Sequence, residues 1–143
     1  MKTIVIYLCI SFLLTDPLFA QSDIEKRIQT QLILAEDGST IDLGEGIFHI
    51  TKSLSMDGKK KVTIKGRGIY KTILTFKSQV AGAEGIKITN SENIVLHDFT
   101  VQDSKGDLIK AMHVNGIRFE RIKAEWTGKP SKTTIRRKHS FGW

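Results

Sequence analysis

GIKITNSENIVLHDFTVQDSKGDLIKAMHVNGIRFERIKAEW, residues 85–126, matches itself when shifted by 23 positions. In the shifted alignment Ile86 meets Ile109, Ile88 meets Ala111, Ile94 meets Ile117, Leu96 meets Phe119, Phe99 meets Ile122 and Val101 meets Ala124. A period in the twenties belongs to solenoids, in which each turn buries its apolar side only by stacking on the next. Within one period three short alternating pieces follow one another: Ile86/Ile88, Ile94/Leu96 and Phe99/Val101. The alternation slips phase at His97-Asp98 and, one repeat on, at Glu120-Arg121. A slip at the same place in successive units is a corner, where the chain passes to another sheet with its apolar residues still inward. Three strands per turn predict three parallel sheets. A leucine-rich repeat would instead return through a helical segment, and no return piece here has helical periodicity. The expected fold class is all-β, a three-sheet solenoid of about four turns.

Working back toward the N-terminus, Thr40 to Leu43, Phe48/Ile50 and Leu54/Met56 read as strands separated by Gly44-Glu45-Gly46 and closed by Asp57-Gly58. Val62 and Ile64 open the next turn, about 21 residues after Ile41 and Leu43. Ile73 to Phe76 is a further strand, and Ser78 to Gly85 reads as a loop. Ser22-Asp23-Ile24-Glu25 has the form of a capping box, followed by an apolar stripe at Ile24, Ile28, Leu32 and Ala35. The spacing predicts a short N-terminal capping helix that covers the open end of the first turn.

Residues 1–20 have a basic start, a short apolar run from Ile4 to Leu14 and a cleavage-like region ending at Ala20, the pattern of a secretory signal. The expected organisation is therefore a signal peptide at 1–20, a capping helix at 21–36, β-helix turns at 37–128 and a basic tail at 129–143. The chain is expected to be secreted or periplasmic, with no stable membrane span once the signal is removed. Cys9, the single cysteine, lies in the signal, which leaves no thiol for a disulfide, a metal site or a nucleophile. The net charge of +7 is concentrated: Lys129, Lys132, Arg136, Arg137 and Lys138 follow Glu125 with no acid among them. That tail has no interleaved aromatic residues before Phe141, so nucleic acid is not an expected partner.

The stretches ITKSLSMDGKKKVTIKGRGIYKTILTF (50–76), GAEGIKIT (82–89), SKGDLIK (104–110) and EWTGKP (125–130) together resemble the right-handed parallel β-helix proteins of the pectin-lyase-like fold. The likeness is greatest to a secreted bacterial branch of that family, whose members continue for many more turns. Residues 135–143, IRRKHSFGW, fit no further turn, so the chain is expected to be a truncated N-terminal part. The resemblance implies a right-handed coil and a role in acting on or binding acidic polysaccharide, by lyase-like or epimerase-like chemistry if the chain is an enzyme. The alternatives are a non-catalytic surface or scaffold module and an inactive truncated product.

Elimination beside a uronate carboxylate needs a cation to neutralise that carboxylate and a base to take the proton. Asp98, Asp103 and Asp107 are the carboxylates grouped on the repeated body and the candidate acid/base residues, with Ca²⁺ a possible cofactor at the Asp103–Asp107 loop. The same loop, Asp-Ser-Lys-Gly-Asp, is more simply explained as turn chemistry, with Asp and Gly chosen for backbone reasons. No metal site is assigned; His49, His113 and His139 share no ligand spacing. In-register stacking sets His97 over Glu120, Asp98 over Arg121, Lys87 over Lys110 and Asp103 over Trp126. Stacked lysines repel, which is tolerated in salt or answered by an acidic ligand. Lys87, Lys110 and Trp126 are accordingly the candidate substrate-binding residues.

Overall fold

The structure, a computed structural model, describes residues 17–128, with side chains from residue 23 onward. Most of the expected signal segment and all of the basic tail at 129–143 lie outside the described residues. Helix α1 (Pro17–Leu34) leads into β1 (Thr40–Asp42), β2 (Gly46–His49) and β3 (Lys52–Asp57). The second turn comprises β4 (Thr63–Lys65), β5 (Thr72–Thr75) and β6 (Ala81–Thr89). The third comprises β7 (Glu92–Gln102) and β8 (Ile109–Met112), and β9 (Asn115–Glu125) begins the fourth. Every strand pairing is parallel, and the chain forms a β-solenoid of about four turns.

Three faces are present, but two of them are continuous. β7 pairs with both β4 and β5, through Leu96 with Ile64 and Val101 with Leu74, so one long strand serves two faces. The bend lies at Asp98, and the equivalent bend in β9 lies at Arg121; both residues are left-handed, at φ 62° and 50°. These are the two positions at which the sequence alternation slips. A single left-handed residue turns the strand while returning the next apolar side chain to the interior. The third face is the separate sheet β3-β6-β8.

The pairing Ile86↔Ile109, Ile88↔Ala111, Ile94↔Ile117, Leu96↔Phe119, Phe99↔Ile122 and Val101↔Ala124 is the 23-residue register read from the sequence. The first turn differs in detail. Ile41 pairs with Ile64 rather than Val62, so the repeat there is also 23 residues and not 21. A slip of two leaves every side chain on its own face, so alternation alone does not separate the two registers. The second turn is longer, since Ile64 pairs with Leu96 and Leu54 with Ile86. Residues 81–85, read as loop, are the start of β6: Ala81 pairs with Lys52, and the register shifts between Lys52 and Leu54. Ala81, Gly82 and Ala83 are small and exposed, and backbone pairing there needs no apolar alternation.

Columns of buried side chains run down the interior. Ile41, Ile64 and Leu96 form one, Phe48, Leu74 and Val101 another, and Leu54 with Ile86 a third. At the N-terminal end Ile28 and Leu32 of α1 are buried in this core, with Ile24 and Ala35 packed against it, so the helix caps the first turn as its stripe predicts. The capping box does not start the helix. α1 begins at Pro17, five residues before Ser22, and the Glu25 carboxylate instead accepts hydrogen bonds from the Thr51 amide (2.8 Å) and hydroxyl (2.9 Å). Gln29 bonds both the amide and the carbonyl of Ser55 in the same way. Two side chains of α1 thus satisfy backbone groups on the exposed edge of the first turn, which would otherwise invite strand pairing.

Candidate functional site

The Asp98 carboxylate is held from two sides. Arg121, one turn on, donates Nε and Nη2 to it, the latter at 2.9 Å, and His97 Nδ1 lies 2.6 Å away. The hydrogen bonds from Arg121 and His97 and their positive charge keep this carboxyl far below the usual carboxylate range. An acid so stabilised in its ionised form is a poor proton acceptor. The arginine responds in the opposite sense, its pKa raised first by the same hydrogen bond.

The backbone register sets His97 opposite Glu120, as the sequence predicts. Their side chains do not pair: the imidazole turns to its neighbour Asp98, and Glu120 takes Arg118 at 2.8 Å. Register decides which backbones meet; rotamers then choose among several charges within reach.

Asp103 is left-handed, at φ 62°, and both of its carboxylate oxygens are engaged by the next turn, accepting from the Thr127 amide and hydroxyl at 2.6 Å each. Its amide donates to the Glu125 carbonyl. Asp107 is exposed, with its nearest cation Lys110 at 3.8 Å. The structure therefore does not bring Asp98, Asp103 and Asp107 together. Each is engaged separately, and no hydrogen bond among the described residues joins one to another. Nor does any group of three or more His, Cys, Asp or Glu among the described residues converge as a metal ion would require. The Asp103–Asp107 loop behaves as turn chemistry. Ser104 bonds the Gly106 carbonyl, and Gln79 accepts from the Lys105 amide, tying the loop to the turn before it.

The lysine pair is where the sequence places it, with Ser55, Lys87 and Lys110 in one outward column across β3-β6-β8. Its repulsion is relieved by a residue the sequence reading missed. Glu84 Oε1 lies 3.1 Å from Lys110 Nζ; this hydrogen bond raises the Lys110 pKa, while that of Glu84 is lowered first by its own backbone amide and then by the same bond. Glu84 precedes Lys110 by 26 residues, three off the repeat, so in-register stacking does not show it. Lys87 engages in no hydrogen bond or ion pair among the described residues.

Trp126 donates its indole Nε1 to the Ser104 carbonyl at 2.9 Å, yet the residue is 60% exposed. With Asp107 it lines an open hollow of about 480 Å³ at the C-terminal end of the described coil. Asp107 thus links Lys110 on the sheet to Trp126 at the rim. A second exposed aromatic residue, Tyr70, was also not foreseen. It sits on the longer connection between β4 and β5, and Lys123 Nζ is 5.7 Å from its ring centre. No family model matches the chain, and neither does any curated protein or solved structure.

Proposed function

We propose that this chain is an exported β-helix protein that binds acidic polysaccharide along the outer face of β3-β6-β8, without turnover. The observation that carries the reading is Lys87: an uncommitted cation at the middle of a regular sheet, stacked on Lys110 and continuous through Asp107 with the exposed Trp126. A strand spacing of about 4.8 Å between cations suits a polymer bearing a carboxylate on each sugar, and an aromatic ring at the end of the strip offers a surface for a sugar face. The resemblance to pectin-lyase-like proteins supports the same ligand class. Binding is preferred to elimination or epimerisation because those reactions need an available base, whereas Asp98 and Asp103 are both consumed in holding one turn to the next and Asp107 stands against the Lys110 cation at 3.8 Å. Export is proposed from the leader pattern of residues 1–20.

Titration calorimetry against polygalacturonate and alginate, with a neutral glucan as control, tests this. Lys87→Ser should weaken polyuronate binding about tenfold, Lys87→Arg should retain it, and added salt should weaken it. Ultraviolet absorbance should show no unsaturated product. Equal affinity for the neutral glucan, or indifference to Lys87→Ser, would refute the reading.

A further inference from the structure

Lys87 and Lys110 stand side by side in the outward column of β6 and β8, paired in register, yet they are not equivalent. Lys110 Nζ donates to Glu84 Oε1 at 3.1 Å and lies 3.8 Å from Asp107, whereas Lys87 meets no carboxylate among the described residues. Glu84 is fixed through its backbone. Its carbonyl accepts from Ser53 Oγ (2.6 Å) and from Gln79 Nε2 (2.8 Å). The next residue, Gly85, lies so close to the following turn that a Cβ there would meet the Leu108 carbonyl oxygen at 2.5 Å, and its amide donates to the Asp107 carbonyl. That close approach sets Glu84 beside β8. Both partners are sheltered, the Glu84 side chain being 20% exposed and that of Lys110 36%. An ion pair in this setting is screened less than one standing fully in solvent.

We propose that Glu84 is a built-in competitor for the polyuronate site: it occupies Lys110 as a uronate carboxylate would, and it must be displaced before a chain can engage both lysines. Because it rests on the polysaccharide-binding reading above, this role deepens that site by naming the residue that limits its affinity and selects polymer over free sugar. An ammonium carries three donors, so a second carboxylate could reach Lys110 with Glu84 still in place. Charge opposes that route. Lys110 and Glu84 together sum to zero, and Asp107 adds a negative charge beside them, so an incoming carboxylate finds no net attraction and two groups of its own sign. Lys87 has no such guard. A single uronate therefore binds at Lys87 alone. A chain anchored at Lys87 instead holds its next carboxylate near Lys110 at high effective concentration, which is what competition with a carboxylate tethered to the same sheet requires. Specificity arises here from an opposing group as well as from the attracting ones.

Two measurements separate this role from the reading beneath it. Acetylation of the full chain with N-hydroxysuccinimidyl acetate, followed residue by residue by mass spectrometry, needs no polysaccharide. Pairing keeps Lys110 protonated and unreactive, so it should react at least about threefold more slowly than Lys87, and Glu84→Gln should remove the difference. Titration calorimetry then reads binding: Glu84→Gln should tighten an oligogalacturonate about fivefold and leave galacturonic acid within about twofold of the parent. Glu84→Asp, one carbon shorter but unchanged in charge, should fall between the parent and Glu84→Gln in both measurements, and it carries the test if the glutamine variant folds poorly. Equal acetylation of the two lysines in the parent would overturn the proposal, as would oligogalacturonate binding that Glu84→Gln leaves unchanged or weakens. An equal gain for the free sugar and the oligomer would overturn it too. The expected acetylation contrast with no binding by parent or variants would refute the polysaccharide reading itself, and the competitor role with it.

Discussion

Ile94 and Ile117 make a controlled comparison, being the same residue one repeat apart in one column. Ile94 is 1% exposed and roofed on both sides, whereas Ile117 has the covered third turn on one side only. Truncation to Ala removes the same three carbons at each. At about 0.8 kcal/mol per buried carbon the transfer loss at Ile94 is roughly 2.4 kcal/mol, and a residual cavity brings the total to about 3.5 kcal/mol. At Ile117 the transfer loss is partial and no closed cavity forms, for a total of about 1 kcal/mol. With a urea slope of about 2 kcal/mol/M, the midpoint should fall by about 1.7 M for Ile94→Ala and about 0.5 M for Ile117→Ala. The assay is equilibrium urea unfolding followed by far-ultraviolet circular dichroism at a concentration too low for association. Equal shifts at that dilution would mean that the fourth turn is already covered, and the account of the open end would fail.

Three further outcomes are expected. Gly66→Ala should destabilise by about 3 kcal/mol, because its new methyl would meet the Asp98 carbonyl oxygen and lie 2.7 and 2.8 Å from the Thr72 and Phe99 Cβ atoms; thermal melting checks this, and an unchanged melt would refute the packing. Glu25→Ala should cost about 1–2 kcal/mol and speed hydrogen exchange at the Thr51 amide, since the carboxylate that accepts from it is gone. Asp98 contributes stability that is fully present above its ordinary pKa of 3.8 and is lost as pH falls below that value toward the depressed folded-state value. Arg121→Gln should therefore flatten the fall of the urea midpoint between about pH 5 and pH 2, and an unchanged acid slope would refute the assignment.

The coil itself was legible because a parallel solenoid writes its register into the chain. Side chains 23 residues apart must share one interior column, and the slips at His97-Asp98 and Glu120-Arg121 mark corners that the left-handed Asp98 and Arg121 confirm. The stripe of α1 was legible for the same reason: Ile28 and Leu32 are buried because their spacing permits nothing else against a flat end. What escaped the sequence is what does not depend on periodicity. The strand pairing that opens at Ala81 rests on backbone hydrogen bonds, which need no apolar alternation. The partners of charged side chains escaped for a different reason. His97 turned to Asp98 and not to Glu120, and Lys110 found Glu84 off the repeat, because a long side chain samples several neighbours of similar distance. The same freedom separated Asp98, Asp103 and Asp107, which sequence proximity had grouped.

The residues alone determined the coiled architecture, the 23-residue register of the last two turns, the corners and the helical cap, because burial acts on every apolar side chain at once. Tertiary structure alone decided which carboxylates are spent on holding turns together, that Lys87 of the stacked pair has no partner among the described residues, and that no strand lies beyond β9 among them, because those outcomes turn on single contacts among near-equal choices.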